Sequence, residues 1–129
     1  MSDELVRVRD LKKIFSVPAG ELHAVDGVDF SIARGSTIGI VGESGCGKST
    51  MGRLLAMLLE ATSGEILFDG QNIAKKMSKA EAMAYKKRIQ MIFQDPFSSL
   101  NPRMTTFETI IEPLDSCFVL RQKTPLHLP

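Results

Sequence analysis

The chain has 129 residues, a formal net charge of +1 and 43% hydrophobic residues, which is room for one domain at most. The near-neutral balance gives no electrostatic reason to expect a nucleic-acid partner, and no stretch approaches the ~18 continuous apolar residues of a membrane span. The acidic opening Met1-Ser2-Asp3-Glu4 lacks the basic-then-apolar order of a secretory signal, and Cys46 and Cys117 have neither metal nor redox spacing, so a reducing, cytoplasmic setting is expected.

In chain order, Leu5 to Phe15 alternates around Val6 and Val8 and reads as a first strand. Ser16-Val17-Pro18-Ala19-Gly20 is a turn, with φ preset at Pro18 and positive φ allowed at Gly20. Val28, Phe30 and Ile32 alternate with Asp29 and Ser31 as a half-buried second strand, and Arg34-Gly35 turns the chain again. Thr37 to Val41 is a short apolar run suited to a strand buried on both faces. Met51, Leu54, Leu55 and Leu58 fall on one face of a helix that Thr62-Ser63-Gly64 should stop. Ile66 and Phe68 mark another strand, closed by the tight-turn pair Asp69-Gly70. Ser78-Lys79-Ala80-Glu81 has capping-box spacing, which predicts a helix from Lys79 to about Arg88. Ile89 to Phe93 reads as a buried strand, Gln94 to Arg103 as a loop, and Thr106 to Leu114 as the start of a helix with Phe107, Ile110 and Ile111 on one side. After Leu114 no periodicity is sustained, and Pro125 and Pro129 oppose regular structure.

Between the Thr37–Val41 run and the first helix lies Gly42-Glu43-Ser44-Gly45-Cys46-Gly47-Lys48-Ser49-Thr50, which satisfies G-x-x-x-x-G-K-[ST]. Glycines let the backbone come close to phosphate oxygens, where a Cβ would clash. A helix opening there adds unpaired N–H groups and the positive end of its dipole. Lys48 can reach β- and γ-phosphates, and the Ser49 hydroxyl can ligate Mg²⁺. Strand, glycine loop and helix in succession is the context that this pattern requires. The remaining candidates read more plainly: Lys86-Lys87-Arg88 as a solvated helix face, the methionines as core and interface filling, and His23 and His127 as isolated.

A phosphate loop does not by itself choose among nucleotide-binding families. Neither N-K-x-D nor D-x-x-G, the guanine and switch strings of GTPases, occurs in this chain. The run Gln90-Met91-Ile92-Phe93-Gln94-Asp95-Pro96-Phe97-Ser98-Ser99-Leu100-Asn101-Pro102-Arg103 narrows the choice. With Leu11-Lys12-Lys13-Ile14-Phe15 and Ala24-Val25-Asp26-Gly27-Val28, it resembles the N-terminal part of an ABC-transporter ATPase subunit, and within that family the oligopeptide, dipeptide and nickel importer branch.

The resemblance implies an α/β P-loop NTPase core with an N-terminal antiparallel β layer, over residues 1–114, followed by a non-matching, irregular tail at 115–129. It implies ATP and Mg²⁺ as cofactors. Phe15 would stack on adenine with Val25 packing nearby, and Gly42, Ser44, Gly45, Cys46, Gly47, Lys48, Ser49 and Thr50 would hold the phosphates. Ser49 and Gln94 would serve the metal, with Gln94 also positioning the attacking water beside the charge of Lys48. The implied partners are membrane-embedded transporter subunits at the inner face of the cell membrane and a second ATPase subunit, identical or not. The family's L-S-G-G-Q-type signature, the strand ending in Asp-Glu and the switch histidine do not occur in this sequence. The chain is therefore expected to be a truncated segment, with an altered reading frame after Leu114 as one origin of its tail, and to bind ATP for a peptide-importing parent without turning it over alone. The competing expectation is a non-catalytic nucleotide-binding module.

Overall fold

Two long strands dominate the N-terminal half, β1 (Glu4–Val17) and β2 (Gly20–Ala33), paired antiparallel through a turn at residues 18–19. The computed structural model describes residues 3–95 and 100–116, and these fall into two units, 1–89 and 90–129. In the first unit, α1 (Lys48–Leu55), β3 (Ser63–Phe68), β4 (Gln71–Asn72) and α2 (Lys79–Arg88) follow the hairpin. The four strands form one sheet in the order β2-β1-β3-β4, and among the described residues every strand pairing is antiparallel.

The core of this unit gathers Val8, Leu11, Val25, Met51, Leu54, Ile66, Phe68, Ile73 and Tyr85. Val8 and Leu11 are three residues apart yet both fully buried, which a regular strand of period two does not allow. A bulge accounts for it: the ladder shifts register between Val8 and Leu11, where Asp10 takes φ 40°. The Asp10 N–H leaves the ladder and donates to Asp29 Oδ1 at 3.0 Å. On the far side β3 comes close at Gly64 (φ 93°), where a Cβ would lie 2.3 Å from the Asp10 carbonyl oxygen. The Thr62 hydroxyl accepts the Ile14 N–H at 3.0 Å, continuing the ladder just before β3 begins.

α2 is set by its ends. Ser78 and Glu81 form the capping box that the spacing predicts, and the helix runs Lys79–Arg88 as expected. Its buried side chain is Tyr85, which meets Phe68 edge-on at 5.7 Å between ring centroids and donates its hydroxyl to Gln71 Oε1. Asp69, at the β3–β4 turn, accepts from Arg34 at 2.7 Å and Arg88 at 2.8 Å, tying the ends of β2 and α2 to that turn. Both guanidiniums hold the Asp69 carboxyl below its ordinary range, Arg88 first. Arg88 also lies over the Phe68 ring at 4.8 Å, so this part of the basic run is engaged rather than merely solvated.

Three expectations are corrected. The Thr37–Val41 run is not a strand: it carries no ladder pairing, and Val41 is 93% exposed. Ile89 to Phe93 is likewise irregular, with Ile92 equally exposed. Both runs suit the interior of a parallel sheet, where stability comes from strands on either edge and cover on both faces; no described strand pairs with either. α1 ends at Leu55 rather than near Thr62, because Met57 takes φ 56° and the Leu58 and Leu59 amides turn back to the Arg53 carbonyl.

In the second unit, α3 (Thr106–Ser116) occupies the expected place. Thr105 and Glu108 exchange side-chain-to-backbone hydrogen bonds at its start, a second capping box. Phe107 and Ile110 are exposed. Of the tail expected from 115, residues from Cys117 onward lie outside the described residues. Among the described residues no helix is long and apolar enough to cross a membrane.

Candidate functional site

The loop from Gly42 to Gly47 is seated on β2 at one residue. Gly47 is the N-cap of α1 with φ 94°, and a Cβ there would lie 2.2 Å from the Ala24 carbonyl oxygen and 3.7 Å from Val25 Cγ2. A side chain is excluded twice, by a backbone atom below and by the left-handed φ. Val25 itself is 6% exposed, a core residue under the loop.

The three described helices differ at their starts. α2 and α3 each cap their first-turn N–H groups with their own Ser or Thr and Glu. In both, these bonds hold the glutamate (Glu81, Glu108) below its ordinary carboxyl range. α1 has a glycine cap with no side-chain hydrogen bond and no acidic residue in its first turn. Its first N–H groups and the positive end of its dipole are left for an external anion. The residues therefore fit a phosphate chain: a cradle that a Cβ would fill, helix amides without an internal partner, and a cation at the mouth.

That cation is Lys48. Its Nζ donates to the carbonyl oxygens of Gly42 at 2.7 Å and Glu43 at 2.5 Å, and lies 3.5 Å from Cys46 Sγ, so the ammonium spans the loop from one end to the other. The Cys46 N–H donates to the Glu43 carbonyl at 3.4 Å. Ser44, Gly45, Cys46 and Ser49 are exposed and Thr50 is half-buried. The Ser49 hydroxyl is a hard oxygen donor of the kind Mg²⁺ takes beside phosphate oxygens. Beneath the loop lies a largely apolar cavity of about 590 Å³, walled by Val25, Val28 and Phe30 of β2, Ile38 and Ile40 of the extended segment, and Met51 of α1.

Of the predicted residues, Gly42, Cys46, Gly47, Lys48 and Val25 are brought together around the loop by these contacts. Phe15 stands apart, half-buried near the end of β1 opposite Leu22, with the Lys13 ammonium 5.0 Å from its ring centroid. It belongs neither to the core nor to the half-buried shell packed on it. Gln94 is exposed in an irregular segment of the second unit, and Pro96 to Ser99 of its run lie outside the described residues.

Some features were missed by sequence reasoning. The Ala24 carbonyl under Gly47 is a backbone atom with no sequence signal. The Lys13–Phe15 pair had one, the i, i+2 spacing of a strand face. His23 is not isolated as expected: its Nδ1 lies 3.5 Å from Asp26 Oδ2 and its Nε2 3.9 Å from Glu21 Oε2. Even so, no group of three or more His, Cys, Asp or Glu among the described residues could hold a metal ion.

The chain is 49% identical over 115 residues to the oligopeptide transport ATP-binding protein OppF of Bacillus subtilis, covering 89% of this chain and 38% of that protein. It is 46% identical over 121 residues to AppF of the same organism, covering 88% of this chain and 37% of the relative. The chain thus spans less than two fifths of the length of these relatives. Among solved structures, the dimeric ATP-binding cassette MJ0796, in a post-hydrolysis state bound to ADP and Pi, superposes with a TM-score of 0.73 at 25% identity, over 92% of this chain and 50% of that one. Residues 25–126, most of the sequence, match the family described as ABC transporter, and the chain belongs to that family.

Proposed function

We propose that this chain is the phosphate-binding part of the ATPase subunit of an ABC importer for peptides or a related small solute. The observation that carries the reading is the Gly42–Thr50 loop, seated by Gly47 against the Ala24 carbonyl and spanned by the Lys48 ammonium. The oligopeptide-transport names of the relatives support the importer branch.

In this reading the first-turn amides of α1 and the loop amides bind the β- and γ-phosphates, and Lys48 leaves its carbonyl partners to take phosphate oxygens. Ser49 and Gln94 are the oxygen donors that would hold Mg²⁺, which when bound would supply positive charge to the phosphates. Gln94 orients the attacking water, and Phe15 offers a flat face to adenine with Val25 packing nearby. Partners are membrane-embedded subunits at the inner face of the cell membrane and a second ATPase subunit, in keeping with the dimeric form of the MJ0796 cassette. Residues 1–114 are the cassette segment in this reading.

A second reading, a nucleotide-binding module without turnover, is favoured by one observation. The 129 residues contain no L-S-G-G-Q-type signature and no apolar strand ending in Asp-Glu. Phosphoryl transfer rests on positioned charge, and those groups are not in this sequence, so the chain alone binds ATP without hydrolysing it. Phosphate release from Mg·ATP by the purified chain tests this second reading: turnover that Lys48→Ala abolishes rules the module out, and binding without turnover supports it.

A further inference from the structure

We propose that Lys13 is a positioning residue for the nucleotide base, acting through Phe15. The inference rests on the reading that Phe15 receives adenine. Phe15 lacks what normally fixes an aromatic ring in place: it is only half-buried and lies outside both the core and the shell packed on it. A cation addresses the ring instead. The Lys13 ammonium stands over it at 5.0 Å from the centroid, within cation–π range.

The two residues sit at i and i+2 on β1, where side chains share a face. Lys13 is the ladder partner of Val25, and Val25 Cγ2 lies 3.7 Å from where a Gly47 Cβ would be. Lys13 therefore stands across the ladder from the residue under the phosphate loop, with Phe15 about 7 Å further along the strand. A cation on one ring face leaves the other face as the available stacking surface. It also draws ring electron density toward itself, which favours an electron-rich purine on the opposite side. Holding the ring before the base arrives reduces the ordering that binding must otherwise impose. The neighbouring Lys12 is differently engaged, 3.4 Å from Asp10 Oδ1 at the bulge, and serves as an internal control of equal charge.

The test compares two probes by titration calorimetry on the full chain with Mg²⁺: ATP, which has a base, and inorganic tripolyphosphate, which has none. Lys13→Met is expected to weaken ATP binding about two- to fivefold while leaving tripolyphosphate unchanged. Lys13→Arg should restore ATP affinity, and Lys12→Met should leave the ratio of the two affinities as it is. A general loss of positive charge would weaken tripolyphosphate at least as much as ATP, so equal weakening of both probes by Lys13→Met overturns the proposal. So does an unchanged ratio in Lys13→Met when Phe15→Leu lowers it, and in that case the stacking reading survives. An unchanged ratio in Phe15→Leu overturns the stacking reading and the proposal with it. Absence of saturable binding of either probe to the unsubstituted chain overturns both.

Discussion

Replacing Gly47 by alanine tests the seating of the phosphate loop. The new methyl would stand 2.2 Å from the Ala24 carbonyl oxygen, about 1 Å inside the closest ordinary C···O approach. Relief by moving Ala24 is costly, because the next residue, Val25, is buried in the core and packs under the loop. Relief by moving the loop displaces the first turn of α1, which carries Met51 and Leu54 into the same core. The positive φ of 94° adds its own strain, of order 1–3 kcal/mol for a residue with a Cβ. Overpacking adds about 1–3 kcal/mol more. A combined loss of about 3 kcal/mol should lower the midpoint of a thermal melt, followed by circular dichroism, by about 15 °C. Mg·ATP affinity should fall with it. A Gly47→Ala chain that melts within a degree or two of the parent and binds ATP equally well would refute the contact on which the site is built.

Other consequences are smaller and independent. Tyr85→Phe removes the hydroxyl that donates to Gln71 while keeping the edge-on contact with Phe68, and should cost about 1 kcal/mol in urea unfolding; an unchanged midpoint would deny that bond a role. Asp69 has a folded-state pKa held below the ordinary aspartate value, by Arg88 first and Arg34 second. Its contribution to stability is thus present above the ordinary aspartate pKa and is lost as pH falls through the lower folded-state value. Carboxyl titration by NMR should show the Asp69 pKa rising in Arg88→Met, and no movement would mean that the ion pair does not form in solution.

Legibility followed the range of the interactions. The phosphate loop and the Lys79–Arg88 helix were readable because each is specified by residues within a few positions of one another. The Ser78–Glu81 spacing located its helix to the residue, and Thr105-x-x-Glu108 carries the same signal for α3. The β1–β2 hairpin was readable from alternation up to Val8, but the bulge at Asp10 was not. That bulge depends on a carboxylate nineteen residues away and on Gly64 of another strand. Thr37–Val41 and Ile89–Phe93 misled for a related reason. A short apolar run becomes a strand only beside a partner, and no described strand pairs with either of these two. At the site, residue types were legible while contacts were not: Lys48 was predicted to reach phosphate, and the structure adds the Gly42 and Glu43 carbonyls that hold it.

Calorimetric titration of the purified chain with Mg·ATP, beside Lys48→Ala, asks whether the loop binds a nucleotide at all. Saturable binding by the parent chain should be lost in the variant, since the alanine removes the ammonium that spans the loop. Equal binding by both chains, or none by either, would contradict the phosphate-binding reading.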